Sequence, residues 1–132
     1  MMLFCIILLL FSLVACKQGN TTNDLIRDIG RSSKFTEKEI TEAIDSVIDN
    51  FSFLASTLTK VWYDEEKSNS YIISYLKDGI KSENIIVLLS NFDVDGSGDN
   101  PVLNSNSTYT DYQWILIRDN STSDWRIDDW GY

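Results

Sequence analysis

The chain has 132 residues, 20 of them acidic and 11 basic, with no histidine, two cysteines and a formal net charge of −9. That length suits one small domain, and without histidine neither a Cys/His zinc site nor a histidine-assisted nucleophile can be built. The acidic balance lacks the basic footprint of a nucleic-acid binder, so no nucleic acid is expected as a partner.

The first element is an uncharged apolar run from Leu3 to Val14, closing as Leu13-Val14-Ala15-Cys16 before the polar Lys17-Gln18-Gly19-Asn20. About a dozen apolar residues match a signal-peptide core and are too few to cross a bilayer as a helix. A small residue directly before a cysteine, with two aliphatic residues ahead of it, resembles the lipobox of bacterial lipoproteins. The resemblance implies that residues 1–15 are a signal peptide that is removed, Cys5 with them. It further implies that the Cys16 thiol carries diacylglycerol and anchors the chain to the cell membrane, facing outside the cytoplasm. Two acyl chains hold a protein on a membrane far more firmly than one, at about 0.8 kcal/mol per buried methylene. Residues 16–34 then read as the lipidated cysteine and a polar tether, with a short helical turn at Leu25-Ile26 and Ile29 before Gly30.

Residues 35–132 read as a single α+β domain. Thr36-Glu37-Lys38-Glu39 is a capping box, with Phe35 and Ile40 placed as a hydrophobic staple. Ile40, Ala43, Ile44, Val47, Ile48 and Phe51 follow at helical spacing, so a helix with one apolar face is predicted. Thr57–Tyr63 is rich in β-branched and aromatic residues and predicts a strand. Asp64-Glu65-Glu66-Lys67 reads as a turn, and Tyr71, Ile72, Tyr75 and Leu76 as a second helix stopped by Gly79. A strand apolar on both faces is expected over Asn84–Phe92. A polar loop over 95–108 precedes a strand from Tyr109 to Arg118, on which Tyr112, Trp114 and Leu116 share one face and Ile115 and Ile117 the other. A last strand follows at Trp125–Asp128. The expected architecture is a long N-terminal helix laid on a curved, cone-like antiparallel sheet of about four strands.

Three groups of residues carry possible chemistry. Asp93, Asp95, Ser97 and Asp99 imitate the first half of an EF-hand loop, but position 12 of that loop would be Asn104 where a bidentate Glu is needed. A solvated hairpin loop is the better reading, and no metal or other cofactor is expected. Asp128 and Asp129 are adjacent carboxylates; neighbours on a regular strand point to opposite faces, which argues against a dyad. The strands also carry many aromatic residues. Trp62, Tyr63, Phe92, Tyr109, Tyr112, Trp114, Trp125, Trp130 and Tyr132 fall on strands or their ends, and most are expected in the core. If helix and sheet enclose a cavity the same residues would line it, with Trp62, Tyr112, Trp114, Asp128 and Asp129 as the candidates for a small-ligand pocket.

Five segments carry a wider resemblance: Thr36-Glu37-Lys38-Glu39-Ile40, Leu58-Thr59-Lys60-Val61-Trp62-Tyr63-Asp64-Glu65, Val87-Leu88-Leu89-Ser90-Asn91-Phe92, Trp114-Ile115-Leu116-Ile117-Arg118 and the close Trp125-Arg126-Ile127-Asp128-Asp129-Trp130-Gly131-Tyr132. Together they resemble an uncharacterised family of small lipoproteins from Gram-positive bacteria with a nuclear-transport-factor-two-like domain. That fold hosts enzymes and non-enzymatic binding domains alike, and its usual His–Asp pair is impossible here. The expectation is therefore a lipid-anchored, non-enzymatic extracytoplasmic domain that binds a small ligand or an envelope protein. The alternatives are an enzyme with Asp128 or Asp129 as base in an aromatic cone, and a surface exclusion or immunity lipoprotein.

Overall fold

A computed structural model describes residues 20–132. The predicted signal segment, Cys16 and Lys17–Gly19 lie outside the described residues. The chain runs β1 (Asn20–Asp28), α1 (Glu37–Asn50), β2 (Ser56–Trp62), α2 (Glu65–Tyr71), α3 (Ile73–Lys77), β3 (Ile85–Val94), β4 (Ser107–Ile117) and β5 (Arg126–Gly131). The five strands form one sheet in sequence order. β1 pairs parallel to β2 and every other pair is antiparallel, so the sheet is mixed and five-stranded, not antiparallel with four. β1 and β5 are its two edges.

β1 replaces the expected tether and helical turn. Its sequence, Asn-Thr-Thr-Asn-Asp-Leu-Ile-Arg-Asp, has almost no apolar pattern because an edge strand needs only backbone pairing and one partly covered side. Leu25 and Ile29 supply that cover by packing on the core. The parallel return to β2 requires a crossover, which α1 provides. At the exit from β1, Gly30 adopts φ +62, and a Cβ there would lie 2.4 Å from the Tyr63 carbonyl oxygen.

α1 forms where the capping box predicts it. Thr36 Oγ1 accepts from the Glu39 amide (3.2 Å), and the Glu39 carboxylate accepts from the Thr36 amide (3.0 Å). Its 14 residues bury Ile40, Ala43, Ile44 and Val47. They lie against Leu58, Val61, Ile86, Leu88, Phe92, Trp114 and Leu116 of one sheet face. α2 occupies the stretch expected to turn. Asp64 caps it by accepting from the Lys67 amide (3.0 Å), and its one buried residue, Ser68, accepts from the Val87 amide (3.0 Å). It leads to Ile72, which joins Ile85 and Val87 in a second, smaller core on the opposite face, bordered by Tyr75, Ile80, Ile115 and Ile117. Gly79 follows α3 at φ +90, its amide donating to Leu76 O (3.1 Å), as expected of a helix stop.

Three bulges set which residues share the larger core. Register slips between Leu58 and Lys60, between Ser90 and Phe92 on the β3–β4 pair, and between Ile115 and Leu116 on the β4–β5 pair. Each adds a residue to β2, β4 or β5, bending that strand. Leu58 and Val61, Tyr109 and Tyr112, and Ile127 and Trp130 therefore face the same side although three positions apart. The strand-long alternation of two holds only between bulges, as at Tyr112, Trp114 and Leu116, which are all buried.

Arg118 fastens the far end of β4. Its Nη2 pairs with Glu39 Oε2 (2.6 Å) and donates to Glu83 O (2.8 Å), while Nε donates to the same carbonyl (3.1 Å). The guanidinium lies 4.3 Å from the Trp125 ring centre. Burial pushes the Glu39 carboxyl up, but the Thr36 amide and Arg118 outweigh it and hold the group below its ordinary value.

Candidate functional site

Phe53, just beyond the end of α1, is the centre of an aromatic array. Its ring stacks on Trp114 (5.5 Å between centres, 21°) and meets Phe51 at 5.1 Å, Phe92 at 5.4 Å, Tyr112 at 5.8 Å and Trp130 at 6.2 Å. Tyr112 in turn packs edge-on against Phe92 and Tyr132. Offset and edge-to-face pairs of this kind add about 0.5–1.5 kcal/mol each beyond the area they bury.

A groove of about 340 Å³ opens over this array. Ser52, Phe53 and Leu54 form one wall, Asn100-Pro101-Val102-Leu103 of the β3–β4 loop the other, and Tyr112 and Trp130 the floor. Asn100 holds the walls together. Its Nδ2 donates to Leu54 O (2.9 Å), and its Oδ1 accepts from the amides of Val102 (3.0 Å) and Leu103 (2.9 Å). Trp130 remains 51% exposed and Val102 85%, which leaves apolar surface facing the opening. Ser52 and Tyr112 are the hydroxyl-bearing residues of the lining. Burial raises the Tyr112 pKa, aided by Tyr132, Tyr109 and Asp129, so that hydroxyl stays protonated and able to donate.

The structure separates the five predicted pocket residues. Tyr112 is on the groove floor; Trp114 lies beneath it, 2% exposed, and is core. Trp62 pairs with Leu89, the row between Trp114 and Tyr112, and so faces the other side, where the Lys60 ammonium sits 4.5 Å from its ring centre. Asp128 and Asp129 are exposed on β5 and outside the groove. The bulge removes Asp128 from the ladder, so simple alternation does not apply to this pair. After burial, the charges of Asp128 and Asp129 are the next largest causes of the raised Tyr75 hydroxyl.

The EF-hand-like segment is engaged in one cross-strand contact and in turns. Asp93 Oδ1 accepts from Thr108 Oγ1 (2.7 Å), Asp95 Oδ1 from the Ser97 amide (2.9 Å), and Ser97 Oγ from the Asp99 amide (3.2 Å). Among the described residues no group of three or more acidic, His or Cys side chains is gathered for a metal.

Phe53, Leu54, Asn100, Val102 and Leu103 are groove residues that the sequence does not single out as such, whereas Trp130 stands among the aromatic residues expected to line a cavity. The signal for the loop wall is Pro101-Val102-Leu103, an apolar step inside an otherwise polar stretch. Among the described residues no helix is long and apolar enough to cross a membrane. Residues 27–131 match a family described as a domain of unknown function, DUF4829, and the chain belongs to that family. No curated protein and no solved structure matches it.

Proposed function

We propose that this member of the DUF4829 family is a lipid-anchored extracytoplasmic binding domain whose aromatic groove takes a small apolar ligand. The observation that carries the reading is the groove itself: a preformed concavity with exposed apolar walls, the hydroxyl-bearing Ser52 and Tyr112, and no carboxylate in its lining. That lining gives no support to a carboxylate-based enzyme, because Asp128 and Asp129 stand outside it. The lipobox-like Leu13-Val14-Ala15-Cys16 supports the anchor. Asn20 pairs with Thr57, at the sheet end that also carries Ser52–Leu54 and the β3–β4 loop. Only Lys17, Gln18 and Gly19 separate Cys16 from that strand, a reach of about 13 Å fully extended. The proposed anchor would thus keep the groove on the membrane side of the domain.

Two measurements test this reading. Mass spectrometry of protein recovered from membranes is expected to find an N-terminus at diacylglyceryl-Cys16, and Cys16→Ser to release an unlipidated chain. A Cys16→Ser protein that stays membrane-bound and uncut would overturn the anchor. Titration with the neutral probe N-phenyl-1-naphthylamine is expected to give saturable binding that Trp130→Ala weakens about tenfold. Saturation unchanged by Trp130→Ala would remove the groove from the proposal.

A further inference from the structure

We infer that the opposite end of the sheet carries a second binding site, for a small carboxylate that also bears an N–H donor. A free amino acid and a peptide C-terminus share this chemistry. The site is a cleft of about 480 Å³ between the segment Gly79–Asn84 and the segment Ile117–Ser121, with Arg126 of β5 at its side. Its volume is in the range of small-molecule pockets.

Asn84 supplies the donor requirement. Its Oδ1 is buried and is without a hydrogen-bond partner, whereas the rest of the residue is engaged. The backbone amide donates to Lys81 O (2.9 Å), the backbone carbonyl accepts from the Arg118 amide (3.0 Å), and Nδ2 donates to Asp119 O (3.4 Å). The last contact fixes the orientation of the side chain, since exchanging Oδ1 and Nδ2 would set two carbonyl oxygens against each other. A buried acceptor left unmet costs about 1–3 kcal/mol, so a ligand whose N–H donor reaches this atom from the cleft recovers that cost.

The charge requirement comes from the basic side chains. In a chain of net charge −9, this cleft gathers Lys81, Arg118 and Arg126, against Glu83 and Asp119. Arg118 is held by Glu39 and the Glu83 carbonyl, and Arg126 Nη1 by Asp119 Oδ1 at 3.0 Å. Lys81 forms no ion pair among the described residues, so its ammonium is the group placed to meet a ligand carboxylate. Ile80 and Ile117 offer apolar wall for a short aliphatic stem.

The test is an NMR titration of the folded protein with N-acetyl-alanyl-alanine, its C-terminal amide, free alanine and acetate. Saturable shifts of the Asn84 side-chain amide are expected with the dipeptide acid. Binding should weaken about tenfold on capping the ligand carboxylate or on Lys81→Gln, an exposed substitution that leaves the fold intact. Tighter binding of alanine than of the dipeptide would assign the site to free amino acids, tighter binding of the dipeptide to peptide ends, and either supports the inference. Failure to saturate by about 10 mM, or acetate acting as well as the dipeptide, would overturn it.

Discussion

At the residue scale, Glu65 shows how one side chain joins distant parts of the chain. Its carboxylate accepts from the hydroxyl of Ser32, the amide (3.1 Å) and hydroxyl (3.0 Å) of Ser33, and the amide of Lys34 (3.3 Å). The Ser32 hydrogen bond, followed by the Ser33 amide, lowers its pKa from 4.5 to about 2. Burial, and then the Glu65 charge, pushes the neighbouring Tyr63 hydroxyl up to about 12. Donors are thus aimed at the charged form of Glu65, and the group fixes the loop after β1 to the start of α2. Because the folded pKa is the lower one, this stabilisation is complete above about pH 4.5 and is lost as pH falls toward about 2. Glu65→Gln is expected to cost about 1–2 kcal/mol at neutral pH, discounted for its partial exposure. It should also flatten the acid limb of a denaturation curve between those pH values. An unchanged acid limb would show that the cluster contributes nothing to folding.

At the scale of elements, the bulges explain both what the sequence made legible and what it hid. α1, β2 and the alternating part of β4 follow from capping and periodicity, and the two faces of Tyr112–Ile117 are readable residue by residue. The spacing of three at Tyr109–Tyr112 and Ile127–Trp130 is what a period of two cannot interpret, so which of the strand aromatics share the groove face is not readable from spacing. α2 lacks an apolar stripe and rests on the Asp64 cap and the hydroxyl of Ser68. β1 is invisible for a different reason: its pairing is made by backbone atoms, which every sequence possesses. The β4 bulge depends on Asp111, whose φ is 54 and whose amide donates to Asn91 Oδ1 (3.2 Å). Asp111→Gly is expected to leave stability unchanged or raise it by up to about 1 kcal/mol, and Asp111→Val to lower it by about 1–2 kcal/mol. Thermal unfolding of the two variants checks the difference, and equal melting temperatures would exclude backbone conformation as the role of this position.

At the scale of the whole molecule, the sheet keeps its two concavities apart. The aromatic groove lies where β1 begins and β3 ends; the Asn84 cleft lies where β3 begins and β4 ends. β3 has 10 residues, about 33 Å of strand between the two. β1 matters to the integrity of the whole because it covers the edge of β2. A chain starting at Ser32 is expected to lose cooperative unfolding and to associate through the bared strand, as read by calorimetry and light scattering. A monomeric, cooperatively melting truncation would show that β1 is an accessory.

β1 also determines how the domain answers a pull. It runs parallel to β2, so tension entering ahead of Asn20 while the opposite end of the sheet is held runs along the strand. The bonds of a ladder then resist together in shear instead of unzipping singly. The ladder is interrupted between Thr21 and Ile26, leaving one section at Asn20–Thr21 and another at Ile26–Asp28. The Tyr63 amide extends the second by donating to Asp28 O (3.0 Å). Under tension the short section is expected to slip first while the longer one keeps its grip, so the strand gives up Asn20–Thr21 before the section that holds Tyr63.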